Sequence, residues 1–280
     1  MIPSPRDVHD LLAAHDVRPS KALGQNFVAD ANTVRRIARL ADVDASSNVL
    51  EIGAGLGSLT VALAETGASV TALEVDRRLI RALRVRVEPL GVRVVEADAL
   101  TVDIESLLGA DVPGRPWIVV ANLPYNVAVP LVVRVLDEAP SVIRMLVMVQ
   151  REVGMRLAAP PGGPDYGAVS VKVAYHARAR VVGQVPPAVF VPRPKVESVL
   201  VSIERRAAVA VDPAVVPAEQ LFAIVRAGFA HRRKMLRRAL HGVVSAQAFV
   251  DSGVDPTARA ETLSVEDWGR LAACATEPGE

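Results

Sequence analysis

The chain has 280 residues, 51% of them apolar, with a formal net charge of +1 at pH 7 and a single cysteine. That length can bury a substantial core and suits one large domain with a smaller appendage, and the apolar content excludes a disordered chain. No apolar run is long enough to span a membrane, the N-terminal "MIPSPRDVHDLLAAHD" carries charges where a secretory signal needs apolar residues, and Cys274 alone excludes an internal disulfide. A cytoplasmic location follows, and since the five histidines show no ligand spacing, no metal is expected.

An amphipathic helix is predicted around Val8 to Ala14, after which the polar stretch "RPSKALGQNFVAD" leads into a helix from about Ala31 to Leu40. Alternation then begins. "NVLEIG" reads as a strand, "SLTVALAETG" as a helix closed by Gly67, "SVTALEVD" as a strand and "RRLIRALRVRVE" as a helix ended by Pro89. Strands "VRVVEAD" and "WIVVAN", a helix near Val129 to Glu138 and strand "VIRMLVMVQ" continue the pattern. Strands that are apolar on both faces and separated by helices indicate an α/β fold, a parallel sheet covered on both sides.

Beyond Arg151 a short helix gives way to "AAPPGGPDYGAVS", a Pro- and Gly-rich connection. Two β-rich segments are predicted near Val169 to Tyr175 and Val199 to Ile203, then a linker "RRAAVAVDPAVVPAEQ" and a helical C-terminal part. There Ser264 and Asp267 have capping-box spacing, with Val265, Trp268, Leu271 and Ala272 on one helix face, and the final "TEPGE" reads as a frayed end. The near-neutral total argues against a polyanion partner, yet "RAGFAHRRKMLRRALH" gathers Arg226, Arg232, Arg233, Lys234, Arg237 and Arg238 without an acid. A basic helix is the simplest picture, and a solvated face or a nucleic-acid contact would both explain it.

The first strand of the alternating region runs into "GAGLGSL", whose Gly53, Gly55 and Gly57 let backbone pass close to a ligand ahead of a helix N-terminus. Glu74 ends the next strand about twenty residues on, where an acid can accept hydrogen bonds from both hydroxyls of a ribose. A dinucleotide fingerprint would place its third glycine three residues after the second, whereas Gly57 follows Gly55 by two. Asp98, in "EADAL" at the third strand end, could accept from an adenine amino group, so successive strand ends would meet S-adenosylmethionine along its length.

"WIVVAN" ends in "NLPYN". A turn would explain Asn and Pro there on backbone grounds alone. On the carboxyl edge of the sheet the same residues can do chemistry, because the Asn122 side-chain oxygen and the Leu123 main-chain carbonyl can both accept from an exocyclic amine. Those two acceptors would favour a pyramidal nitrogen and stabilise the charge that appears as it is alkylated. Pro124 stiffens the turn, and Tyr125 offers a ring for a splayed base. Phe190, in "PPAVFVPRPKVES", could cover the base's other face or be a core residue. Gln25, Asn26 and Phe27 could be a lid over the methionine end or merely a loop leading into a helix.

"KALGQNF", "LEIGAGLGSLT", "ALEVDRRL", "EADAL", "NLPYN", "YGAVSV", "FVPRPKVES", "HRRKMLRRAL" and "RAETLSVEDWGRLA" occur in this order. From about Ser20 to Ala273 the chain thereby resembles the ribosomal RNA adenine N6-dimethyltransferases, and among them the bacterial small-subunit type. The resemblance implies a Rossmann-like S-adenosylmethionine-dependent methyltransferase domain over residues 1–206 and a helical, basic, RNA-contacting domain over 207–280. It implies dimethylation of two adjacent adenosines near the 3′ end of 16S ribosomal RNA in the assembling 30S subunit. Oligomeric state is left open by the sequence, with a monomer as the default. Carried over by position, cofactor contacts fall on Asn26, Val28, Gly53, Glu74, Asp98 and Asn122, with Gly55 in the same loop, and the adenine site on Asn122, Leu123, Tyr125 and Phe190. Ala54 and His231 depart from residues frequent in the family, without touching a group given a role. The nearest alternative is the 23S ribosomal RNA methylase of the macrolide-resistance type, which shares "QNF", "NLPY" and the proline-flanked phenylalanine. An NAD-linked oxidoreductase is disfavoured by the glycine spacing, and a non-catalytic ribosome-assembly factor by the intact amine-binding residues.

Overall fold

A computed structural model describes residues 2–14, 19–20, 24–111 and 114–275. Lys21 to Leu23 of "KALGQNF" and the terminal "TEPGE" lie outside the described residues. The chain divides into two compact units, one of residues 1–154 with 180–205, the other of residues 155–179 with 206–280. The segment 155–179 therefore groups with the C-terminal residues, so the units are not separated by one cut near residue 206.

The strands are β1 (Phe27–Val28), β2 (Asn48–Ile52), β3 (Ser69–Glu74), β4 (Arg93–Glu96), β5 (Trp117–Asn122), β6 (Val142–Gln150), β7 (Ala177–Val185), β8 (Phe190–Val191) and β9 (Ser198–Arg205). Seven of them form one sheet in the order β4-β3-β2-β5-β6-β9-β7, and β1 pairs with β8 as a separate ribbon. Strands β4, β3, β2, β5 and β6 are mutually parallel, while β9 runs antiparallel to β6. Strand order reverses between β2 and β5, because β3 and β4 are laid down on one side of β2 and β5 and β6 on the other. In open α/β sheets such a switch opens a crevice at the carboxyl ends of the strands.

Local chemistry accounts for the helices that frame this crevice. The helix Ala31–Ala41 is capped by Asp30, whose carboxylate accepts the Thr33 N–H at 2.7 Å. Asp76 caps Arg77–Val87 in the same way through the Arg78 N–H. Val34 and Ile37 from the first of these helices and Leu59 and Ala62 from Ser58–Ala64 share a buried cluster with Val49, Val70, Ile118 and Leu146 of the sheet. Burial of such side chains is worth about 1.5–3 kcal/mol each, enough to outweigh the modest helix propensity of the valines.

The second unit is built around Trp268, fully buried among Tyr166, Leu221, Leu236 and Phe249. Helix Ala218–Ala230 approaches this ring through Gly228, where a Cβ would come within 2.5 Å of the indole. Helix Val265–Cys274 begins with the reciprocal cap read from the sequence: Ser264 Oγ accepts the Asp267 N–H at 3.1 Å and Asp267 accepts the Ser264 N–H at 2.9 Å.

Two expectations need correction here. Residues Ala168–His176 are a helix and not a β-rich segment. Valines at 169, 171 and 173 imitate a strand's alternation, but the Ser170 hydroxyl accepts the Gly167 N–H at 3.0 Å and donates to the Arg156 carbonyl at 2.6 Å, starting a helix that buries Val171 and Tyr175. The strand of this region is β7, whose "ARARVVGQV" carries too much charge to stand out as an apolar run. The basic stretch is not one helix either: Ala218–Ala230 ends before His231, a turn follows in which the Lys234 N–H donates to the His231 carbonyl at 2.8 Å, and a short helix Leu236–Ala239 comes after it. Like charges three or four residues apart weaken a helix by about 0.2–0.5 kcal/mol per pair, and no acid within the stretch offsets them. Arg232 instead turns to Glu261 at 2.7 Å and to the Pro164 carbonyl at 2.6 Å.

Candidate active site

A cavity of about 200 Å³ lies in the first unit at the carboxyl ends of β2, β3, β4 and β5. Its floor is the turn after β2, where Gly53 and Gly55 have φ of 76° and 58°. A Cβ on Gly55 would sit 3.0 Å from the Phe27 ring, so only glycine lets these two backbones close together without strain. The Gly53 N–H donates to the Leu73 carbonyl at 2.8 Å, tying the turn to β3.

Glu74 projects from the end of β3 into this turn. Its Oε2 accepts the Gly55 N–H at 2.7 Å, and its Oε1 accepts the N–H groups of Val75 at 2.9 Å and Asp76 at 2.8 Å. Burial raises its pKa above the ordinary carboxylate value, against the lowering effect of those backbone donors. A carboxylate has about four acceptor sites, so the three backbone bonds leave Glu74 room for one further hydroxyl rather than two. Asp98, exposed at the end of β4, uses Oδ1 to accept the Leu100 N–H at 2.8 Å and also lines the cavity.

At the end of β5 the Asn122 amide nitrogen donates to the Asn26 carbonyl at 2.9 Å, which fixes the amide's orientation and leaves its oxygen as an acceptor. The Leu123 N–H donates to the Met148 carbonyl at 3.0 Å, so the backbone is held to β6 immediately before Pro124. Gln25 and Phe27 line the same cavity, as do Asn26, Val28, Leu123 and Tyr125. Gln25 donates to Asp76 at 2.8 Å and accepts the Ser20 N–H at 2.8 Å, fastening the segment before β1 to the end of β3.

Phe190 is not brought to the cavity. It is 3% exposed, opposite Val28 in the β1–β8 ribbon, and shares the core cluster with Leu200. Of the basic residues, Arg226, Arg232, Arg233, Lys234, Arg237 and Arg238 are all exposed in the second unit. Among the described residues no cluster of His, Cys, Asp or Glu could hold a metal ion, and no helix is long and apolar enough to cross a membrane.

Sequence reasoning passed over Glu51. It stands in the middle of "NVLEIG", lines the cavity at 2% exposure, and its Oε2 is buried without a hydrogen-bond partner, as is Ser58 Oγ nearby on the lining. Burial pushes its pKa up to about 8, with Thr60 opposing and the neighbouring Glu74 charge reinforcing the rise. The available signal was an acid inside a strand whose other residues are buried in a parallel sheet.

A model of the family "Ribosomal RNA adenine dimethylase" matches residues 17–277. Ribosomal RNA small subunit methyltransferase A of Kineococcus radiotolerans is 48% identical over 276 residues, covering 96% of this chain and 90% of that protein. The protein of the same name from Streptomyces coelicolor is 46% identical over 276 residues, covering 96% and 95%. Among solved structures, the 23S rRNA methyltransferase ErmE superposes with a TM-score of 0.69 at 28% identity, over 89% of this chain and 99% of that one. A dimethyladenosine transferase from Plasmodium falciparum shares the fold, with a TM-score of 0.72 at 23% identity over 86% and 94%. A glycine turn, an acid at each of the two following strand ends and an oriented asparagine at the next thus occur in a chain that belongs to the ribosomal RNA adenine dimethylase family, enzymes that methylate adenine in ribosomal RNA with S-adenosylmethionine.

Proposed function

We propose that this enzyme dimethylates N6 of two adjacent adenosines near the 3′ end of 16S ribosomal RNA in the assembling small subunit, acting as a monomer in the cytoplasm, where ribosomes are built. The carrying observation is that relatives at 43–48% identity across almost the whole chain are named for the small subunit, whereas ErmE, named for 23S RNA, shares 28%.

The cavity's residues fit S-adenosylmethionine. Its volume of about 200 Å³ runs past the ends of β2, β3, β4 and β5 with polar groups at intervals, and the glycine turn keeps side chains out of it. Glu74 would accept a ribose hydroxyl and Asp98 the adenine amine, with Gly53, Gly55, Asn26 and Val28 forming the walls. Glu51 and Ser58 carry buried polar atoms without partners, suited to the cofactor's amino-acid end. The bound cofactor supplies an electrophilic methyl group on a sulfonium centre.

The protein's part is to hold the amine and shape its electrons. Adenine N6 is a poor nucleophile because its lone pair is delocalised into the ring. Accepting its two hydrogens at Asn122 Oδ1 and the Leu123 carbonyl draws the nitrogen toward pyramidal geometry and stabilises positive charge there during transfer. The Asn26 carbonyl keeps Asn122 from presenting its NH₂ to the amine, which would repel it. Asn122 cannot serve as a base, so the released proton leaves to solvent, and rate enhancement rests on positioning and electrostatics. Tyr125 would stack on the unstacked base. The core position of Phe190 supports a role in holding β1 beside the cavity in place of direct stacking. The exposed cations of residues 226–238 would contact phosphates and set placement.

The test is methyl transfer from labelled S-adenosylmethionine to small subunits lacking the modification, beside large subunits and naked DNA, with the modified nucleotides mapped. Label on paired 16S adenosines is the expected result; label confined to the large subunit overturns the substrate assignment.

A further inference from the structure

Stacking uses the face of an aromatic ring and has no need of a hydroxyl, so Tyr125 carries an atom that its proposed role leaves idle. That hydroxyl lies 3.2 Å from Ser198 Oγ, within a hydrogen bond that either group can donate. Ser198 is 1% exposed and opens β9, in register with Gln150 at the end of β6. Beside it the Arg151 N–H donates to the Glu197 carbonyl at 2.9 Å, which ties the entry of β9 to the residue that follows β6. Tyr125 by contrast stands on the loop after β5, half-buried at the cavity wall. The bond therefore runs from a loop residue across the end of β6 to a rigid point of the sheet.

We propose that Ser198 is a positioning residue for methyl transfer: by holding the tip of Tyr125 it fixes where the ring lies at the cavity wall, the platform on which the target adenine rests. The inference builds on the reading of Tyr125 as the stacking platform. A tyrosine on a loop, anchored only at its Cα, can shift its ring through small changes of backbone and first torsion. A second anchor at the para oxygen, which lies on the ring's long axis, fixes the direction of that axis and with it the place of the ring. Because a base stacked on the ring takes its tilt from it, and N6 must meet both acceptors of the Asn122–Leu123 pair together, misalignment shows in the transfer step and leaves the cofactor site untouched. The same bond gives the last residue of "FVPRPKVES" a part in the reaction and joins that segment to "NLPYN".

The experiment compares Ser198→Ala, Ser198→Thr, Tyr125→Phe, the Ser198→Ala/Tyr125→Phe double variant and Tyr125→Ala. Single-turnover methyl transfer to unmodified small subunits, the cofactor dissociation constant by calorimetry and the melting temperature are read for each. Ser198→Ala and Tyr125→Phe should each slow transfer about fivefold, the scale of one hydrogen bond, with cofactor affinity unchanged. The double variant should be no slower than either single, since both delete the same bond, and Ser198→Thr, which keeps the hydroxyl, should recover most of the rate. Wild-type rates for Ser198→Ala and Tyr125→Phe beside a slow Tyr125→Ala would overturn the role of Ser198 and leave stacking intact. A wild-type rate for Tyr125→Ala would remove the stacking reading itself, and additive losses in the double variant would show that Ser198 acts elsewhere. Should Ser198→Ala fail to fold, Tyr125→Phe still deletes the bond from its accessible end and decides the matter.

Discussion

Replacing Glu51 by glutamine should change how stability depends on pH in a direction opposite to that of most carboxylates. The Glu51 side chain is buried beneath the glycine turn with one oxygen unpartnered, and its pKa stands at about 8 in the folded protein against 4.5 for the free group. Below about pH 4.5 both states carry the proton, and the group contributes fully. As pH rises the unfolded chain ionises while the folded protein keeps the proton, so folding loses about 1.4 kcal/mol for each pH unit until the folded carboxyl itself ionises near 8. From pH 5 to pH 8 that amounts to roughly 4 kcal/mol of stability lost through this one residue. Glutamine has the same shape and no proton to release. Urea unfolding of the ligand-free wild type and Glu51→Gln at pH 5, 6, 7 and 8 isolates the effect, because every other titrating group is common to both. The two stability curves should diverge steadily, the variant gaining on the wild type as pH rises. Parallel curves would show that Glu51 is ionised in the folded protein and that the cavity is far more polar than its geometry implies.

Other perturbations bear on the same cavity. Glu74→Gln leaves backbone N–H groups of Gly55, Val75 and Asp76 facing an amide with one acceptor oxygen, and cofactor affinity measured by calorimetry should fall by about 10- to 100-fold. Gly55→Ala forces a side chain into φ 58° with its Cβ 3.0 Å from the Phe27 ring, which should cost about 1–3 kcal/mol in thermal unfolding and weaken cofactor binding further. Arg233→Ala with Lys234→Ala removes two exposed cations remote from the cavity in sequence. The salt dependence of RNA binding should flatten by about two in log–log slope, with cofactor affinity unchanged.

The sheet was legible because its strands are buried on both faces. Runs such as "NVLEI" and "WIVVAN" stand out against the arginine-rich helices between them, and the acids and asparagine that close them are conspicuous for breaking the apolar pattern. The parts that escaped are those in which tertiary contacts outrank local pattern. Residues Ala168–His176 alternate like a strand, yet the hydroxyl of Ser170 and the core around Tyr175 make them a helix. At the break after His231, Arg232 meets Glu261, a partner distant in sequence that no local pattern reveals. Phe190 has the same letters whether it stacks on a base or pairs across a ribbon; only its partner Val28 decides. Glu51 was hidden by company, one acid among strand residues whose burial is visible only once both neighbouring strands are in place.

Asn122, also among the residues expected to touch the cofactor, is proposed to act chiefly on the amine. Its side chain is fixed by the Asn26 carbonyl with the oxygen free, and alanine at this position deletes that acceptor together with the bond to Asn26. The decisive measurement is the single-turnover rate of methyl transfer by Asn122→Ala on unmodified small subunits, beside its cofactor dissociation constant. The expected result is a loss of about 100-fold or more in rate with the cofactor constant changed by no more than a few-fold. Transfer at the wild-type rate, or a loss accounted for entirely by weakened cofactor binding, would contradict it.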